Sequence, residues 1–250
     1  MMKALALEYY KIRRKKIGLM LAMFLAAEAL WAAMSISISI SRSAANASWE
    51  AIIFSIASMN GLFLPILSAI VVSRICDMEH KGSTWKLLMT TSVGRHHVYG
   101  AKYVCANSLM LCGIAAQAAF MIGFGYYKGI EGTPPAGLLL QFICGALLTT
   151  LAITALQQWI SLAVRNQAFA LCLGMLGGFL GTTSGLFPAS IRHLFIWSYY
   201  LDLSPVTYVY DASAGAYVSG GLPLGLLAVA LLAAAALYMA GNYHLSRQEI

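Results

Sequence analysis

Charge is what this sequence has least of: 10% of its 250 residues are Asp, Glu, Lys or Arg, against 60% apolar, with mean hydropathy +0.75. Soluble domains run to about 25% charged and about 45–50% apolar, so an ordinary soluble domain is excluded. Other absences remove enzyme classes. No GxxxxGK[ST] loop occurs, and the chain contains no Gly-Lys pair, so it does not bind ATP in P-loop fashion by itself. HExxH is missing too. The five cysteines, Cys76, Cys105, Cys112, Cys144 and Cys172, form no CxxC pair and read as small buried hydrophobes rather than a redox or metal centre.

What is present is length in apolar runs. A bilayer core of about 30 Å needs about 20 apolar residues of helix. Six windows meet this: Ile17–Met34, Ala51–Val72, Tyr103–Gly125, Leu138–Val164, Ala168–Pro188 and Leu222–Tyr243. Backbone polar groups in lipid must pair within their own segment, so each is expected to be a helix. The expected fold is an all-α polytopic membrane protein.

The +7 net charge is explained by topology. Of the 16 Lys and Arg, 13 fall in segments on one side of the six spans: six before span one, then Arg74, Lys81, Lys86, Arg95, Lys102, Arg165 and Arg247. Arg42, Lys128 and Arg192 stand opposite. Basic residues collect in cytoplasmic loops, so both termini are expected inside. A retained signal-anchor is expected rather than a cleaved signal peptide. Residues 2–16 place Leu5, Ala6, Tyr9 and Ile12 on one face of a basic helix, which suits the surface of the anionic inner leaflet; the bland alternative is a solvated basic flank. Residues 189–221 contain the run Leu194–Leu201, too short to span, and are expected to form an extracellular re-entrant or interfacial segment.

Few side chains inside the spans carry chemistry. Glu28 is the one formal charge there, and an ionisable residue in a span is costly unless paired or functional. It can carry protons in a secondary transporter, or simply bond a neighbouring amide such as Asn60 or Gln117. Gly174, Gly178, Gly181 and Gly185, with Gly177, give span five a smooth face for a partner helix, within the chain or in a second copy. Thr182-Thr183-Ser184-Gly185 lacks the first glycine of the GxSG protease motif. His80, His96 and His97 with Asp77 and Glu79 match no trusted metal-ligand spacing.

The loop after span two is the most distinctive stretch. It is expected to hold a short amphipathic helix with Trp85, Leu88 and Met89 on one face, closed by Gly94. The pattern Glu79…Gly82-x-Thr84-Trp85-Lys86-x-Leu88…Arg95…Lys102 resembles the cytoplasmic loop of ABC-2-type transporter permeases, and among them the lantibiotic-immunity and bacitracin-type resistance exporters. One departure is Ser92, where such permeases usually have proline just before the arginine region. The resemblance extends over the layout of the whole chain.

This resemblance implies a type V exporter-like transmembrane domain over 1–250. Its parts are an interfacial helix at 1–16, spans one and two in 17–73, a coupling loop at 74–102, spans three to five in 103–188, the outer segment at 189–221, and span six with the tail at 222–250. It further implies an ABC ATPase in two copies, a second permease chain, the same or homologous, and no cofactor on this chain, ATP and Mg²⁺ being bound by the ATPase. The chain itself is then no enzyme. Glu79, Gly82, Thr84, Trp85, Lys86, Leu88, Arg95 and Lys102 are expected to couple to the ATPase. Glu28, Phe195, Trp197, Tyr199 and Tyr200 are expected to line a path for an amphipathic antimicrobial peptide across the bacterial plasma membrane. Membrane lipids are the other expected partner, and nucleic acid is not one. A secondary, ion-coupled transporter is the competing reading.

Overall fold

The computed structural model describes residues 2–82, 94–164, 166–210 and 215–247, and the backbone alone at 2–4, 45, 79–82 and 210. Helix α1 (Met2–Arg14) turns at Lys16, which sits at φ 54, into α2 (Ile17–Arg42). Then follow α3 (Trp49–Gly82), α4 (Arg95–Tyr127), α5 (Ala136–Ala163) and α6 (Gln167–Thr183). Two single-turn helices, α7 (Ala189–Arg192) and α8 (Tyr199–Asp202), precede strands β1 (Val206–Tyr210) and β2 (Gly215–Ser219), and α9 (Leu224–Arg247) follows. Among the described residues six helices, α2 to α6 and α9, are long and apolar enough to cross a membrane, one in each expected window. This is a multi-pass membrane protein.

The ends differ in construction. α1, the start of α4 and the end of α9 gather at one end, hereafter the termini end. The short helices and strands gather at the other, the hairpin end. α3 has 34 residues and α4 has 33. At 1.5 Å per residue each is about 50 Å long, well beyond a hydrocarbon core of about 30 Å.

Burial grades the helices. α3 is the central one and packs most extensively on α6 and α5. α2 is peripheral, burying Ile17, Leu21, Glu28, Ala32 and Ile36, a single stripe at near-helical spacing. α9 buries Ala230, Ala234, Gly241 and Leu245 and leans mainly on α5. Large apolar side chains on the remaining faces, such as Met23, Leu30 and Trp31 of α2 and Leu232 and Met239 of α9, are exposed, as lipid contact requires.

Between helices in lipid the hydrophobic effect provides little drive, so close packing and hydrogen bonds must hold the bundle. Both are visible. Tyr103 donates its hydroxyl to the Leu151 carbonyl at 2.9 Å, Thr154 donates to Asn107 Oδ1 at 2.8 Å, and the Gln158 amide donates to the Tyr99 carbonyl at 2.9 Å. All three join α4 to α5. Hydroxyls also bond back into their own helix, as Thr150 does to Ala146 O at 2.7 Å.

The α3–α6 contact is closer still. Pro65 lies inside α3 and lacks the N–H that would bond the Gly61 carbonyl. That carbonyl faces Gly181 of α6, where any Cβ would collide with it. A Cβ at Gly178 would stand 2.7 Å from the Leu62 carbonyl, and one at Gly174 would collide with Ala69. The glycine face of α6 is therefore filled from within the chain by α3.

The segment after α6 is not one re-entrant piece. Its latter part is an antiparallel hairpin with Val206 opposite Ser219 and Tyr210 opposite Gly215. Tyr208 and Tyr217 are directly opposed, with ring centroids 4.9 Å apart, and both pack on Phe54 of α3 at 6.1 and 5.7 Å. A strand pair is thus added to an otherwise helical fold.

Candidate functional site

The candidate residues fall into three groups, and the fold keeps them apart. The first is the expected coupling loop at the termini end. Thr84, Trp85, Lys86 and Leu88 lie outside the described residues, and Glu79 and Gly82 close α3 with backbone alone. Arg95 opens α4 and donates through Nη1 to the Ser246 carbonyl at 3.2 Å, tying that end to the tail of α9.

Lys102 departs from the expectation of a surface contact. Its side chain is fully buried, and its ammonium is 3.1 Å from Glu8 Oε2 of α1 and donates to the Ile75 carbonyl of α3 at 3.4 Å. Lys11 approaches the other Glu8 oxygen at 3.0 Å. Tyr9 adds a bond to Ser108 Oγ at 2.6 Å. The face of α1 that is buried holds Glu8 and Ile12, with Leu5 partly covered, while Tyr9 remains 40% exposed. One ion pair thus fastens three helices beside the loop. No sequence signal short of the Glu8–Ile12 spacing on the inner face of α1 pointed to it.

The second group is the aromatic run. Tyr199 and Tyr200 are buried rather than displayed. Tyr199 donates its hydroxyl to the His193 carbonyl at 2.9 Å, and the Tyr200 hydroxyl lies 2.8 Å from Thr150 Oγ1 of α5. Trp197 covers Gly177 of α6, which has room for it only because it is glycine. Phe195 is half-buried, 6.4 Å from Phe187. The run is therefore a plug seated on α5 and α6, with Leu194 exposed at its start and Phe195 and Trp197 half-buried. Beneath it Asp202 pairs with Arg192 at 2.6 Å and lies 3.8 Å from His193. Burial raises the Asp202 carboxyl above its ordinary range, outweighing the pull of Arg192 and His193.

The third group is Glu28. It is fully buried, and the amide nitrogen of Gln117 reaches both its oxygens at 2.9 Å. The same nitrogen donates to Asn60 Oδ1 at 2.8 Å, and Asn60 returns a bond to Gln117 Oε1 at 3.3 Å. The two amides expected as neighbours of Glu28 are thus both in its cluster, which joins α2, α3 and α4. The cluster borders a groove of about 380 Å³ between α2 and α4.

A family model described as ABC-2 family transporter protein matches residues 4–181, which run from α1 through the glycine seam of α6. The chain belongs to the ABC-2 transporter family. No curated protein matches it well enough to name a relative. As an ABC-2 permease it is the membrane subunit of an ABC transporter, not an enzyme on its own, and membership implies an ABC ATPase as partner. The plug, the hairpin and α9 lie beyond the matched residues.

Proposed function

We propose that this permease exports an amphipathic antimicrobial peptide, conferring lantibiotic self-immunity or resistance on a bacterial cell. It sits in the plasma membrane with both termini cytoplasmic, as the distribution of Lys and Arg argues. Two ATPase subunits bind ATP and Mg²⁺, and a second permease chain, identical or homologous, completes the path.

The observation that carries this reading is the pair of over-long helices. α3 and α4 both run on at the termini end, and between them lie the residues whose pattern resembles the family's coupling segment. ATP-driven closure of the ATPases pushes on Glu79, Gly82, Thr84, Trp85, Lys86, Leu88 and Arg95. Lys102 acts behind them, passing the push to α1 through Glu8. On the outer face, Phe195 and Trp197 receive the peptide from the leaflet, Tyr199 and Tyr200 hold the plug, and Glu28 borders the path within the membrane. Buried Glu28 is the one observation that favours a secondary, ion-coupled transporter instead.

The test is co-expression with the ABC ATPases of the same cell, purification through a tag on this chain, and a resistance assay across a panel of antimicrobial peptides. Co-purification with ATP-dependent resistance is the expected result. Transport that persists without any ATPase and follows the proton gradient overturns the proposal in favour of the secondary carrier.

A further inference from the structure

Glu28 lies eleven residues into α2, about 16 Å along the helix, which is near the middle of a hydrocarbon core of about 30 Å. A carboxylate has room for about four donors. Among the described residues Glu28 has one partner, the Gln117 amide nitrogen. Of the two N–H groups on that nitrogen, one is taken by Asn60 Oδ1, so a single N–H is shared between both carboxylate oxygens. The return bond from Asn60 holds Gln117 in that orientation. No cation among the described residues faces the carboxylate. It is buried, charged when ionised, and short of donors.

The groove beside it is otherwise apolar. Ala22, Ala26 and Ala29 on α2 and Cys112, Gly113 and Ala116 on α4 line it, and these small side chains leave the space open. Leu21, Leu25 and Phe120 wall it. Its volume of about 380 Å³ lies in the range of small-ligand sites, about 300–1,000 Å³.

We propose that this groove binds a single-tailed amphiphile bearing a primary ammonium group, with its tail along Leu21, Leu25 and Phe120 and its N–H donors on Glu28. An ammonium brings three donors and the charge that Glu28 lacks. An alcohol brings one donor and no charge, and an anionic amphiphile is repelled. The ammonium of a two-tailed phospholipid stays at headgroup level, about half the core thickness away from Glu28. The inference rests on the reading of Glu28 as part of a substrate path and deepens it by naming the chemistry the path admits.

The full chain in phosphatidylcholine nanodiscs, with no ATPase or nucleotide, is titrated with radiolabelled dodecylamine. Saturable binding is expected, displaced by unlabelled dodecylamine but not by 1-dodecanol or dodecanoate. Glu28→Gln weakens binding about tenfold or more, the ratio for loss of a charge-assisted hydrogen bond. Ala116→Leu fills the groove from an exposed position, leaves Glu28 in place, and weakens binding too. Peptide mapping supplies a second readout: dodecylamine carrying a diazirine in its tail photolabels α4 around Cys112, unlabelled dodecylamine removes that label, and any labelling of α6 around Cys172 is unchanged. Absence of saturable binding, equal competition by 1-dodecanol, unchanged binding in both variants, or photolabelling around Cys112 that unlabelled dodecylamine does not remove each overturns the proposal. None of these outcomes touches the ATPase partnership, which fails separately if no ATPase co-purifies.

Discussion

The Lys102 ammonium and the Glu8 carboxylate stand 3.1 Å apart across 94 positions of sequence, with 0% and 3% of their side chains exposed. A buried ion pair offsets a large desolvation cost, and removing one partner leaves the other charged and unmatched. Lys102→Met is expected to destabilise the folded permease by about 3–5 kcal/mol, with Glu8→Gln/Lys102→Met recovering much of that loss. Lys11, at the edge of the pair, is expected to matter by about 1 kcal/mol or less. Denaturant unfolding of wild type, Glu8→Gln, Lys102→Met and the double variant in detergent checks this; additive losses would show that the two residues do not act as a pair.

The glycine seam makes a graded prediction. Gly181→Val drives a side chain into the Gly61 carbonyl and is expected to cost about 1–3 kcal/mol or more. Gly185→Ala meets only Leu201 Cδ2 at 3.4 Å, an ordinary contact, and is expected to be silent. Thermal unfolding in the same micelle ranks them.

Asp202 sets a pH response at the hairpin end. Its folded carboxyl holds a proton more tightly than an unfolded one, because burial outweighs Arg192, His193 and the Ser198 hydroxyl. The folded state thus binds more protons, and its stability falls as pH rises from the ordinary aspartate value through the raised one. Hydrogen exchange of residues 189–202 is expected to quicken as pH rises from the ordinary aspartate value of about 4, after correction for the intrinsic exchange rate. Asp202→Asn should flatten that slope; a variant that keeps it would assign the response elsewhere.

Trp85→Ala and Glu79→Ala are expected to abolish coupled ATP turnover while the permease still inserts. Comparing ATPase activity with membrane abundance separates the two effects. Export that survives both substitutions would remove the coupling role from these residues.

The spans were legible because length, apolarity and the sidedness of Lys and Arg leave few alternatives. The amide partners of Glu28 were legible for a related reason: few polar side chains are available inside the spans. The Glu8–Lys102 pair was not, since nothing local links two charges so far apart in sequence. The hairpin had a signal, with Val206, Thr207, Tyr208 and Val209 on one side of a short break and Tyr217 and Val218 on the other. Treating 189–221 as a single interfacial piece hid it. Periodicity alone showed that α6 has a glycine face, but the choice between α3 and another chain depended on where Pro65 freed a carbonyl.

Pro65 has a mechanical consequence as well. A helix missing one backbone hydrogen bond bends more easily there than elsewhere along its length. On one side of Pro65, α3 carries Phe54 and the strands it supports; on the other, it runs to Gly82. The longest helix among the described residues is thus divided at Pro65, and that point is cradled by the glycines of α6. If the ATPase pushes near Gly82 as proposed, the bend would fall at this fulcrum, and the strands at the far end of α3 would swing about it.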